Sequence, residues 1–129
     1  MIDRTDLMAL QYLSFDYSED PEGVGSFEAV ASTWPEQVAA VHAEIVRVLS
    51  WAHQAFPDTR GPVADGGDWD YDLHAAREFT QPEQMDYDAA TCTLAIRAGS
   101  AGKPRHTVTL LVSGTGEFCS AFRQAFGLE

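Results

Sequence analysis

Residues 68 to 74 read Asp-Trp-Asp-Tyr-Asp-Leu-His, a strict alternation of polar and bulky apolar side chains. In a helix, residues two apart point to nearly opposite sides, so Trp69, Tyr71 and Leu73 cannot share a helical face. In a strand they must share one, because side chains there repeat every second residue. The stretch therefore predicts a half-buried β-strand over 68–79. Its apolar side turns to a core, and Asp68, Asp70, Asp72 and His74 form one solvent-facing row. A strand needs neighbours and a cover, and these must come from the rest of the 129 residues.

The most strongly marked helix begins after Thr33. Thr33 reads as an N-cap, Glu36 as the return half of a capping box, and Pro35 as a first-turn residue whose missing N–H costs nothing. Val38, Val41, Ile45, Val48, Leu49, Ala52 and Phe56 repeat at helical spacing until Pro57, giving a helix of about 22 residues with one apolar face. Upstream, 10–18 alternate Leu13, Phe15 and Tyr17 against Tyr12, Ser14 and Asp16, which predicts a first strand. Residues 1–9 read as a loose lead-in or a short helical turn. The turn-rich 19–25 leads to 26–32, read as a second strand in preference to an early helix. Downstream, 57–67 and 80–88 read as loops. Residues 90–97 and 106–113 read as strands joined by a connection over 98–105. A closing helix follows, striped by Phe118, Ala121, Phe122, Ala125 and Phe126, with Gly127 as its left-handed cap and Leu128 as the capping contact. The order β-β-α-β-β-β-α predicts a single α+β domain over 1–129, with an antiparallel sheet of four or five strands and two helices on one face. The other face is left to water or a partner.

Charge narrows the partners. The formal net charge is −12, with seven acids and one base in residues 1–28 and nine acids and two bases in residues 58–88. Such a surface repels phosphate, which disfavours nucleic acid and anionic membrane and favours a basic protein partner. No run approaches the roughly 18 apolar residues of a membrane helix. The first residues have neither the basic nor the apolar part of a signal peptide, so the expected compartment is the cytoplasm. Cys92 and Cys119 lack metal-type spacing and sit in apolar contexts, which predicts two buried free thiols. Seven Arg to one Lys, with abundant Ala, leans toward a GC-rich bacterial genome.

The acidic row invites a test for metal. A calcium loop starting at Asp68 needs Gly at position six and Glu at position twelve, but the chain has Leu73 and Phe79 there. Same-face residues in a strand lie about 7 Å apart, so a full shell needs ligands from other strands. The expected neighbours offer only threonines and Arg97. His42 and His53 lie about 16 Å apart on the long helix and cannot share an ion. No metal and no cofactor are expected. Ser113-Gly114-Thr115-Gly116 joins a strand to a helix but lacks the Gly-Lys-Ser/Thr of a phosphate loop, and reads as a structural cap. The chain has no Gly-x-Ser-x-Gly elbow. The expectation is a non-catalytic protein that binds a basic partner through Asp68, Asp70, Asp72 and His74 or the rim around them. The alternative is an enzyme or small-molecule binder with its site between the long helix and the sheet. A bare sheet face also suits a second copy, so a homodimer stays open.

Overall fold

The computed structural model describes residues 9–128, so the lead-in expected over 1–9 lies almost wholly outside the described residues. The chain is α+β. Strands β1 (Asp16–Glu19) and β2 (Gly25–Thr33) precede helix α1 (Pro35–Ala55). Strands β3 (Trp69–Glu78), β4 (Glu83–Asp88), β5 (Thr93–Ala98) and β6 (Arg105–Gly114) follow, then helix α2 (Gly116–Phe126). The elements come in the expected order, with Glu83–Asp88 as one further strand. Every pairing between the named strands is antiparallel, and a single parallel bridge joins Arg60 to Trp69. One sheet has four strands in the order β1-β2-β6-β3, and β4 and β5 form a separate two-stranded ribbon.

Both helices lie on one face of the four-stranded sheet. Phe27, Ala29 and Ala31 of β2, Val108, Leu110 and Val112 of β6, and Trp69 of β3 share the covered face by alternation. They form one buried cluster with Val41, Ile45, Val48 and Ala52 of α1 and Phe118, Cys119, Phe122 and Phe126 of α2. Trp69 is wholly buried. Its ring stacks on Phe118 with centroids 5.7 Å apart, and its indole N–H donates to the Phe56 carbonyl at 3.3 Å. Gly114 makes that stack possible, since a Cβ there would lie 2.8 Å from the Phe118 ring and 2.7 Å from the Asp68 carbonyl.

The first strand is shorter than its alternation suggests. Leu13 and Phe15 do turn to the core, but the backbone over 11–13 joins no ladder. The amides of Gln11, Tyr12 and Leu13 donate to the carboxylate of Glu44, at 2.9, 3.0 and 3.0 Å. Glu44 sits among the apolar residues of α1 and is only 5% exposed. The α1 cap falls one residue later than expected. Trp34 is the N-cap, and its N–H donates to Gln37 Oε1, while Glu36 pairs with Lys103. The α2 cap is as expected. Thr115 Oγ1 accepts from Phe118 N–H, Gly127 is left-handed with φ 66°, and Leu128 N–H closes on the Arg123 carbonyl.

The cysteines divide. Cys119 is buried as expected, and its thiol is pushed up by burial. Cys92 is exposed instead. It has φ 54° in the turn between β4 and β5, a segment with no core to enter. No helix among the described residues is long and apolar enough to cross a membrane.

Candidate functional site

Among the described residues strand β3 is an edge strand, and the expected row lies on the sheet face that neither helix covers. Asp70, Asp72 and His74 fall on that face, opposite Ser113, Leu111 and Thr109 of β6. Asp68 lies one residue before the strand. Its amide donates to the Thr59 carbonyl, and its own carbonyl accepts from Thr115 N–H. Asp70 is engaged within the molecule. Arg60 Nε donates to its Oδ1 at 2.9 Å, and the Arg60 guanidinium lies over the Tyr71 ring at 4.3 Å. Of the expected threonine neighbours, Thr109 stands opposite His74, whereas Asp70 and Asp72 face Ser113 and Leu111. The arginine is not Arg97, which belongs to the β4–β5 ribbon and bonds Gln84 and Asp86. Strand β5 pairs with β4 rather than beside β3, which moves Arg97 away from the row.

The register extends the acidic character across the sheet. Asp72 faces Leu111, Leu111 faces Glu28, and Glu28 faces Asp16, a line that crosses all four strands. The next line holds Val30, Thr109 and His74. Half-buried Leu111 and exposed Val30 thus sit in the middle of the open face, with carboxylates on both sides. Asp16 and Glu28 stand directly opposite each other, an unfavourable juxtaposition of like charge. Neither they nor Asp72 form an ion pair among the described residues. Toward the other end the charges balance, where Arg105 donates to Ser32 Oγ at 2.8 Å and faces Glu78.

Neither Glu28 nor Asp16 could be assigned to the row from sequence, because their place beside β3 depends on β6 being inserted between β2 and β3. The signal for an exposed polar position was present at Glu28, which alternates with Phe27 and Ala29. Among the described residues no cluster of three or more His, Cys, Asp or Glu could hold a metal ion.

Concavities lie on the helix-covered side of the sheet and at the root of the ribbon. Between α1 and the sheet lies a cavity of about 40 Å³, lined by His42 and His106 together with Thr33, Val38, Ala75 and Val108. It has room for a water or a few, and its lining contains no carboxylate. At the root of the β4–β5 ribbon an open cleft of about 480 Å³ is lined by Trp34, Pro82, Lys103 and Arg105. Its charges are already partnered. Lys103 Nζ lies 2.6 Å from Glu36 Oε1, a contact that holds the Glu36 carboxyl below its usual range, and Arg105 stacks over Trp34 at 4.7 Å.

Comparison with protein-family models, with curated proteins and with solved structures gives no match in any of the three. The site is therefore described by its own chemistry: a bare four-stranded face with an apolar centre and acidic flanks.

Proposed function

We propose that this chain is a small acidic binding protein, non-catalytic, whose open sheet face docks a basic protein partner. The observation that carries the reading is the cross-strand line Asp16, Glu28, Leu111 and Asp72. Carboxylates flanking an apolar centre suit a partner that offers Lys or Arg around a hydrophobic contact, with charge steering the encounter and fixing the register. His74 lies beside Asp72 on the same face and completes the contact surface on β3. Asp70, held by Arg60, positions the strand, and Asp68 lies at its margin. The enzyme alternative has less support, because the enclosed cavity between α1 and the sheet is of water size, and the open concavity of about 470 Å³ between α1 and Leu73 of β3 has His53 but no carboxylate in its lining.

The experiment uses a fluorescent peptide of alternating arginine and valine, with anisotropy read against salt. Asp16→Asn, Glu28→Gln and Asp72→Asn together should weaken binding about tenfold or more and flatten its salt dependence. A control removes the same formal charge from the ribbon, through Glu83→Gln, Asp86→Asn and Asp88→Asn, and should bind nearly as the parent does. Equal losses from both triples would mean that net charge alone attracts the peptide, and the site reading would fall.

A further inference from the structure

We infer that His74 gates the open face by acidity. Neutral, it leaves Asp72 free to take a partner's arginine or lysine; protonated, it competes for that carboxylate and repels the partner. This gate rests on the open-face reading and adds the condition under which the partner is held. Histidine is the side chain whose charge ordinarily changes between pH 5 and 8. Among the described residues, which include all four histidines of the chain, His74 alone lies exposed on the open face. His42 and His106 line the cavity between α1 and the sheet. His53 stands edge-on to the buried Trp69 ring, with centroids 4.9 Å apart.

The register fixes what His74 faces. Along β3 its same-face neighbours are Asp72 and Ala76, each about 7 Å away. Opposite it on β6 is Thr109, with Leu111 and Thr107 on the diagonals, and beyond Thr109 on β2 is Val30. Asp72 is thus its one charged neighbour, and Asp72 has no ion pair among the described residues. The next charges on this face are Glu28 and Asp16 along the Asp72 line, Asp70 held by Arg60, and Arg105 opposite Glu78 past Ala76. Both helices pack on the other face. A proton on His74 therefore places a cation beside an unpaired carboxylate of the acidic line.

A partner cation seated on Asp72 comes within about 7 Å of the imidazole. A unit charge appearing at that distance, between the dielectric of water and that of a protein surface and after screening by salt, weakens binding about threefold to tenfold. The other three histidines add their charge behind the sheet, farther from the partner. Linkage makes the effect reciprocal: if the proton weakens the hold on the cation, arrival of the cation drives the proton off.

The test takes the full chain and the arginine–valine peptide, acetylated and amidated so that it carries no group titrating between pH 5 and 8. Anisotropy gives Kd at pH 7.5 and pH 5.5, at one ionic strength, for the parent, His74→Gln and His74→Arg. Each protein is compared with itself. The parent should lose about threefold to tenfold in affinity on acidification, and His74→Gln less than about twofold. His74→Arg, cationic at both pH values, should start close to the acidified parent and change as little as His74→Gln. Calorimetry at pH 6.5 in buffers of different ionisation enthalpy gives a second readout. There the parent should release a fraction of a proton on binding, and His74→Gln almost none. A pH loss that survives in His74→Gln would overturn the inference. So would a parent whose affinity ignores pH, or a His74→Arg chain that binds at pH 7.5 as tightly as the parent. Those results leave the open-face reading standing, since the charge triples test it at neutral pH alone. Equal losses from both charge triples would overturn the two together.

Discussion

At the scale of single residues, Glu44 is the least replaceable polar group. Its carboxylate accepts three consecutive backbone amides and is almost fully enclosed. Glu44→Ala strands those amides and should cost about 2–4 kcal/mol, read as a lower urea midpoint. Asp70→Asn removes a partly exposed ion pair and should cost under about 1 kcal/mol in the same assay. The sequence held a sign of Glu44, a lone acid three residues after Val41 and four before Val48, on the apolar stripe of the helix. It held no sign of the partner, because backbone amides have no residue identity to read. The same interaction explains the first strand. Leu13 and Phe15 do turn to the core as their alternation required, while Tyr17 lies against Phe27 but stays exposed and Tyr12 also packs on the core. The hydrogen bonds of 11–13 go to a side chain instead of a ladder. The thiols give a further test. Iodoacetamide should modify Cys92 in the native protein and spare Cys119, which is buried and whose thiol is pushed up by that burial. Peptide mapping that found both labelled at one rate would contradict this.

At the scale of elements, the β4–β5 ribbon stands apart from the core. Met85 and Tyr87 pair with Ile96 and Leu94 on one of its sides, and all four are more than half exposed. A two-stranded ribbon alone is marginal in water, so it adds little to the stability of the rest. Replacing residues 83–98 with a short Gly-Ser turn between Pro82 and Gly99, which already share a 2.8 Å hydrogen bond, should shift Tm by less than about 4 °C. Calorimetry would show it. At the root of the ribbon, the Lys103 contact lowers the Glu36 pKa from its ordinary 4.5. A lowered carboxylate adds stability above its unfolded pKa and gives it up as pH falls through the folded one. The tie between α1 and residue 103 should therefore persist at pH 4.5 and release only below it, with amide exchange at Gly102–Arg105 as the readout. Strand β4 was legible in part. Met85 and Tyr87 alternate with Gln84, Asp86 and Asp88, but Pro82 and the density of acids resemble a loop, and a strand outside the core lacks the apolar stripe that marks the others. Its omission has a topological cost, since without β4 the next strand, β5, is left to stand beside the sheet.

At the scale of the whole molecule, the layer arrangement was readable from two periodicities. Strands with a period of two require a sheet, and two one-sided helices can cover only one of its faces. Strand order was not readable, because consecutive strands usually pair, whereas here β6 returns between β2 and β3. That insertion assembles the acidic line of the open face from three distant segments. Asp16 and Glu28 oppose each other with no ion pair among the described residues, so Asp16→Asn should raise Tm slightly while weakening capture of the arginine–valine peptide. A fall in both would tie Asp16 to folding alone. The central place of β6 also governs how the protein comes into being. Gly25 pairs with Gly114, and among the described residues β3 has β6 as its only ladder partner in the sheet. During vectorial synthesis, β1, β2 and α1 leave the ribosome long before the strand that unites them, and their apolar faces wait uncovered until residues 105–114 emerge. Nascent chains stalled before that point should bind chaperones that recognise exposed apolar segments, and release them once β6 and α2 are free.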